Sequence, residues 1–128
     1  MGICPKKFGP YFWGTLHLAC LYSADTGAVK ALVDSYLGTL PCPTCRIHFA
    51  EVLTQMPFPT DGTRSDIFSW SVAVHNIVNA HLGKPQMTVE KSLAFWTSGC
   101  EPDDAIFDFK FWVMLLVMVG LLFFLFRK

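Results

Sequence analysis

Apolar positions recur every three to four residues through most of the first hundred positions, and two-residue alternation is nowhere sustained, so the pattern predicts helices rather than sheet. Pro10, following Gly9, is placed to open a first helix over Tyr11–Tyr22 with Trp13 and His17 one turn apart. A second, Gly27–Leu37, gathers Val29, Leu32, Val33 and Tyr36 on one face and closes at Gly38. Pro43 opens a third that runs through Phe49 and Leu53 towards Gln55, and a loop rich in Pro, Thr, Asp and Gly follows over Pro57–Arg64. Ser65 or Asp66 is expected to cap the fourth and longest helix, which reaches His81 and stops at Gly83 and Pro85. Thr88 caps a fifth over Val89–Thr97, ending at Gly99. Short connections favour antiparallel neighbours, so the expected class is all-α: a four-helix bundle plus a short fifth helix, occupying residues 1–99.

Beyond an expected linker at 100–110, the pattern changes character. Residues 111–126 carry no charge and are fenced by Lys110, Arg127 and Lys128. As a helix the run spans about 24 Å at ~1.5 Å per residue, short of a hydrocarbon core of ~30 Å, a gap that thinner membranes and snorkelling basic stems can close. It is expected to be a transmembrane anchor. No apolar signal run is visible near Met1, which points to a domain facing the cytosol, although two basic residues after the span lean the other way.

Ten basic and ten acidic side chains cancel, so no bulk charge recruits nucleic acid. The candidate chemistry lies elsewhere. Cys42 and Cys45 stand three apart at a helix start, within disulfide reach and near the positive end of the helix dipole, which favours the thiolate that performs exchange. Zinc is an alternative, with Cys42, Cys45 and His48 as ligands of a non-catalytic helical adaptor, but a structural site needs four ligands and no second paired motif appears. A thioredoxin-like protein would set its CxxC in a βαβ unit that this chain lacks.

His75, Asn76 and Asn79 form a polar stripe in an otherwise apolar helix containing Trp70, Val72, Val74 and Val78. Burying such amides is unfavourable unless they bond something, and a flat heteroaromatic ligand or a neighbouring helix would each satisfy them. Trp13 and His17 make a similar pair, an indole to stack and an imidazole to hydrogen-bond, and Lys84 is placed to neutralise a phosphate.

Taken together, Trp13–His17 (WxxLH), Cys42–Cys45 followed by His48 and Phe49, and His75–Pro85 (HNxVNxxLGKP) resemble the Erv/ALR family of FAD-linked sulfhydryl oxidases over roughly Gly9–Trp96. The resemblance implies FAD at the mouth of the bundle and a homodimer. It implies Cys45 as the flavin-proximal thiol and Cys42 as the interchange thiol. Trp13, His17, His75, Asn76, Asn79 and Lys84 would contact FAD, with Trp70 and His48 as further neighbours. The implied partners are dithiol substrate proteins or a thioredoxin-like relay, and dioxygen, reduced to hydrogen peroxide.

Two features of the family are missing. The region after Pro85 reads Gln86-Met87-Thr88-Val89 where many cellular members have a cysteine for a structural disulfide, and no second CxxC shuttle is present. Cys20 is expected as a buried small hydrophobe, and Cys4 and Cys100 as free surface thiols. A minimal core with an anchor resembles the versions of large cytoplasmic DNA viruses, which implies a virion or envelope membrane and a purpose for an oxidase in a compartment where disulfides are rare.

Overall fold

The computed structural model of the chain describes residues 3–99 and 111–119. The chain divides into two compact units, Met1–Thr97 and Ser98–Lys128. The first holds five helices: α1 Pro5–Tyr22, α2 Thr26–Thr39, α3 Pro43–Gln55, α4 Arg64–His81 and α5 Val89–Thr97. No strand occurs among the described residues. Helix α1 packs on α2 and α4, α2 on α3, and α3 on α4, which closes a four-helix ring, while α5 lies on α4.

Three boundaries are governed by signals other than the expected ones. Helix α1 begins at Pro5 rather than after Pro10, which sits inside the helix. An interior proline removes one N–H bond and costs on the order of 3 kcal/mol. Phe8 and Phe12 lie on either side of it, pack against the core and meet edge-to-face at 5.8 Å, and their burial offsets that cost. Helix α2 continues through Gly38 to Thr39. Its end is set instead by Leu40, whose ψ of 124° is the extended conformation that a following proline imposes.

At α4 the N-cap is Thr63, not Ser65 or Asp66. Thr63 accepts from the Asp66 backbone N–H, and the Asp66 carboxylate accepts from the Thr63 N–H at 2.8 Å, a complete capping box. The Thr63 hydroxyl, which also donates to that carboxylate at 2.6 Å, and then the Thr63 N–H hold the Asp66 carboxyl below its usual range. Helices α3 and α5 begin and end where the pattern predicts, with Thr88 Oγ1 accepting from the Lys91 N–H.

Leu16, Val33, Val52 and Val74 are essentially inaccessible at the centre of the ring. Polar ties lock the layers: the Tyr36 hydroxyl donates to the Phe12 carbonyl at 3.0 Å, joining α2 to α1, and the Trp70 indole donates to the Met56 carbonyl at 3.0 Å.

In the second unit, residues 111–119 are helical and exposed. Among the described residues no helix is long and apolar enough to cross a membrane. The remainder of the expected anchor, 120–126, and the expected linker at 100–110 with Cys100 lie outside the described residues.

Candidate active site

A cleft of about 760 Å³ opens between the N-terminal half of α1, the start of α3, the C-terminal half of α4 and α5, within the size range of small-molecule sites. Its wall is mainly apolar, built from residues such as Phe8, Phe12, Phe49 and Trp96. All four histidines of the chain line it, as do Lys6 and Lys84, and no carboxylate does. An anionic ligand is therefore met by potential positive charge with nothing to repel it.

At one side of the cleft lies a disulfide between Cys42 and Cys45, whose Cα atoms are 5.1 Å apart. Cys42 is the N-cap of α3, and its sulfur accepts from the Cys45 backbone N–H at 3.2 Å. Both residues are partly exposed, but Cys45 lines the cleft and Cys42 does not. The pair thus has an inner and an outer sulfur. Arg46 positions the segment before it by donating to the Leu40 carbonyl at 2.9 Å, a contact that sequence reasoning did not single out. His48 stands one turn after Cys45 at the exposed rim. The zinc alternative required thiolates at Cys42 and Cys45, and those sulfurs are instead bonded to each other. Among the described residues no other group of His, Cys, Asp or Glu is arranged to hold a metal.

Deeper in the cleft, residues from α1 and α4 meet across more than fifty positions of sequence. Trp13 stacks on His75 with ring centroids 4.1 Å apart and planes within 7°. His17, only 2% exposed, bonds Ser71 Oγ through Nδ1 at 2.9 Å and His75 Nδ1 through Nε2 at 3.0 Å. Burial first, and the neighbouring His75 second, lowers the His17 pKa to about 4. His75 is likewise lowered to about 4 by burial, with the nearby Lys84 ammonium as the smaller cause. Both rings are neutral near pH 7.

The polar stripe on α4 divides in two. Asn76 lines the cleft, yet both ends of its carboxamide are committed to the loop: Nδ2 donates to the Met87 carbonyl at 2.8 Å and Oδ1 accepts from the Met87 N–H at 3.0 Å. The side-chain amide of Asn79 also lines the cleft, and among the described residues it makes no hydrogen bond. Lys84 is held at the cleft by its N–H bond to the Asn79 carbonyl, 2.8 Å, just after Gly83 turns the chain with a φ of 63°.

Trp70 lies away from the cleft. It is 7% exposed and packs edge-to-face on Phe58 at 5.0 Å, with its indole N–H on Met56. The resemblance implied it as a neighbour of FAD, but the five residues of helix between it and His75 turn it about 140° away from the cleft face.

Three participants went unnoticed in the sequence. Ser71 precedes His75 by four residues, as His75 precedes Asn79, so the i, i+4 spacing was available as a signal. Trp96 covers the cleft from α5, and Gly14 admits it: a Cβ at Gly14 would lie 3.2 Å from Trp96 Cη2. Lys6 reaches the cleft only because α1 begins earlier than expected.

Comparison with known proteins agrees on one family. Residues 10–97 match the model of the Erv1/Alr family. A FAD-linked sulfhydryl oxidase of African swine fever virus is 35% identical over 83 residues, covering 60% of this chain and 69% of that protein. A frog virus 3 protein, provisionally described as a FAD-linked sulfhydryl oxidase, is 33% identical over 101 residues, covering 72% of this chain and 67% of that protein. The Arabidopsis thaliana FAD-linked sulfhydryl oxidase ERV1 is 35% identical over 100 residues, covering 73% of this chain and 52% of that protein. No solved structure matches the chain with significance.

Proposed function

The chain belongs to the Erv1/Alr family, and on that premise we propose that it is a FAD-linked sulfhydryl oxidase in which Cys45 faces the cofactor and Cys42 faces the substrate. The observation that carries the assignment of roles is the asymmetry of the disulfide, with the sulfur-bearing residue 45 on a cationic, largely apolar cleft and residue 42 outside it.

The residues present fit FAD. The unbonded Asn79 amide and the Lys84 ammonium offer donors to carbonyls and phosphates, Trp13, Phe49 and Trp96 offer ring surface, and no carboxylate opposes a diphosphate. His75 and Lys6 complete the set we assign to cofactor binding, with His17 acting through His75 and Asn76 through the loop it holds. His48, at the rim, we assign to the space between cofactor and substrate.

In the reaction, a substrate thiolate attacks the Cys42 sulfur, the S–S bond breaks, and its electron pair goes to Cys45. A second substrate thiolate attacks the mixed disulfide at the substrate sulfur, which releases oxidised substrate and sends the electron pair to Cys42. The Cys45 N–H already aimed at the Cys42 sulfur, together with the α3 N-terminus, stabilises that leaving thiolate. Bound FAD supplies the two-electron acceptor that lets the Cys42–Cys45 disulfide re-form and passes the pair to dioxygen, giving hydrogen peroxide. Cys20 takes no part: burial pushes its thiol up to about 11, so it stays protonated.

Two further assignments rest on sequence and exposure. Tyr11, Leu18 and Tyr22 are exposed along one face of α1, which supports a homodimer, testable by light scattering. The uncharged run 111–126 supports a membrane anchor, and we assign the oxidase domain to its cytosolic side, testable by protease protection of sealed vesicles.

The roles of the sulfurs are tested with Cys45→Ser and Cys42→Ser. Both are expected to abolish oxygen consumption with a dithiol substrate while the protein stays yellow. An active Cys45→Ser enzyme would refute the inner-sulfur assignment.

A further inference from the structure

The buried Ser71–His17–His75 chain has a direction that one contact fixes. Ser71 Oγ lies 2.7 Å from the Phe68 carbonyl oxygen. A carbonyl oxygen only accepts, so the hydroxyl proton lies in that contact and the two Ser71 lone pairs are left to face donors. The His17 Nδ1, at 2.9 Å, meets one of them and must carry a proton. The hydroxyl thus gives one bond and receives one.

The rest follows from the two sites of a neutral imidazole. With Nδ1 protonated, His17 Nε2 is a bare lone pair, and His75 Nδ1, 3.0 Å away, donates to it. His75 Nε2 is therefore unprotonated. It has no partner among the described residues, and turning the ring over within its stack on Trp13 would set a carbon, Cδ2, in place of Nδ1 against His17 and lose that bond. Depressed pKa values at both rings keep this order in place near neutrality.

We propose that Ser71 is a positioning residue that sets the tautomer of His75 through His17, so that the cleft wall presents a hydrogen-bond acceptor there and the cofactor group that meets it is a donor, an amine or a hydroxyl. The proposal rests on the reading that the cleft holds FAD. The chemistry of recognition is specific, because a protonated Nε2 would oppose the same donor with another donor.

The test uses the full chain with FAD bound and ¹⁵N-labelled histidine, read at pH 7 by long-range ¹H–¹⁵N correlation. Both His17 and His75 are expected to show protonated Nδ1 and bare Nε2. In Ser71→Ala the acceptor is gone, so both rings are expected to switch to protonated Nε2 and the Kd for FAD to rise roughly tenfold or more, the scale of one lost hydrogen bond and one unfavourable contact. Ser71→Thr, which keeps the hydroxyl, is expected to restore the tautomer. The proposal is overturned if wild-type His75 carries its proton on Nε2, a measurement that needs no variant to fold, or if Ser71→Ala weakens FAD binding with both tautomers unchanged. A colourless protein with the expected tautomers would refute the cofactor reading while upholding the proton order.

Discussion

Acid should loosen this protein well before its carboxylates titrate, because His17 can be protonated readily only when the chain unfolds. Its pKa falls from an ordinary 6.5 to about 4 in the folded state, chiefly through burial. Between those values the unfolded chain binds more protons than the folded one, so stability is complete above pH 6.5 and is lost as pH falls towards 4. At pH 5 the folded form remains about nine-tenths unprotonated at this ring while the unfolded form is almost fully charged, a penalty of about 2 kcal/mol. His75 shifts in the same direction and adds to the loss, though it is more open to solvent and counts for less. For a helical unit of this size, about 2 kcal/mol corresponds to a fall in Tm on the order of 10 °C. The assay is urea denaturation of the yellow protein at pH 7 and pH 5, with FAD in fixed excess since a ligand of the native state raises the midpoint. A doubly substituted His17→Gln, His75→Gln chain should start less stable and lose little more on acidification. If the wild-type midpoint is the same at both pH values, or the double variant loses as much as the wild type, the two rings are not held neutral by burial and this reasoning fails.

Other substitutions separate residues that the sequence treats alike. Asn79→Ala is expected to raise the Kd for FAD roughly fivefold to tenfold, the effect of one neutral hydrogen bond, with little change in the stability of the cofactor-free chain. Asn76→Ala is expected to do the reverse in part, lowering the Tm of the cofactor-free chain because the Met87 backbone loses both partners, and thermal melts with and without added FAD distinguish the two. Trp70→Phe should lower stability by about 1–2 kcal/mol through the loss of its bond to Met56 while the flavin absorbance and FAD affinity stay at wild-type values, and a loss of flavin would return Trp70 to the cleft. Thr63→Ala removes the α4 cap and is expected to cost about 1 kcal/mol in urea melts with thiol-oxidase turnover unchanged.

The helices, and the setting of the dithiol at the start of one of them, were legible in the chain because the determinants are local. Apolar spacing, Pro43 at a first turn, Thr88 before an amphipathic run and Gly83 after His81 act within a few residues of one another. The same locality explains the errors. Pro10 has the features of a helix start, and only the burial of Phe8 and Phe12 against other helices draws α1 back to Pro5. The i, i+4 stripe correctly marked one face of α4 as polar, but whether an amide on that face serves a ligand or the protein depends on where residue 87 runs, which no spacing within α4 encodes. Trp70, expected only as a further neighbour of FAD, differs from Trp13 in the direction it faces. The direction of the hydrogen-bond chain is the plainest case. Ser71 and His75 share a helix, but His17 comes from another, and the proton order exists only when packing brings the three together out of water. Local chemistry thus specified the elements and the reactive pair, whereas the division of labour around the cleft was decided by long-range packing, since hydrogen-bond partners are chosen by proximity in space rather than along the chain.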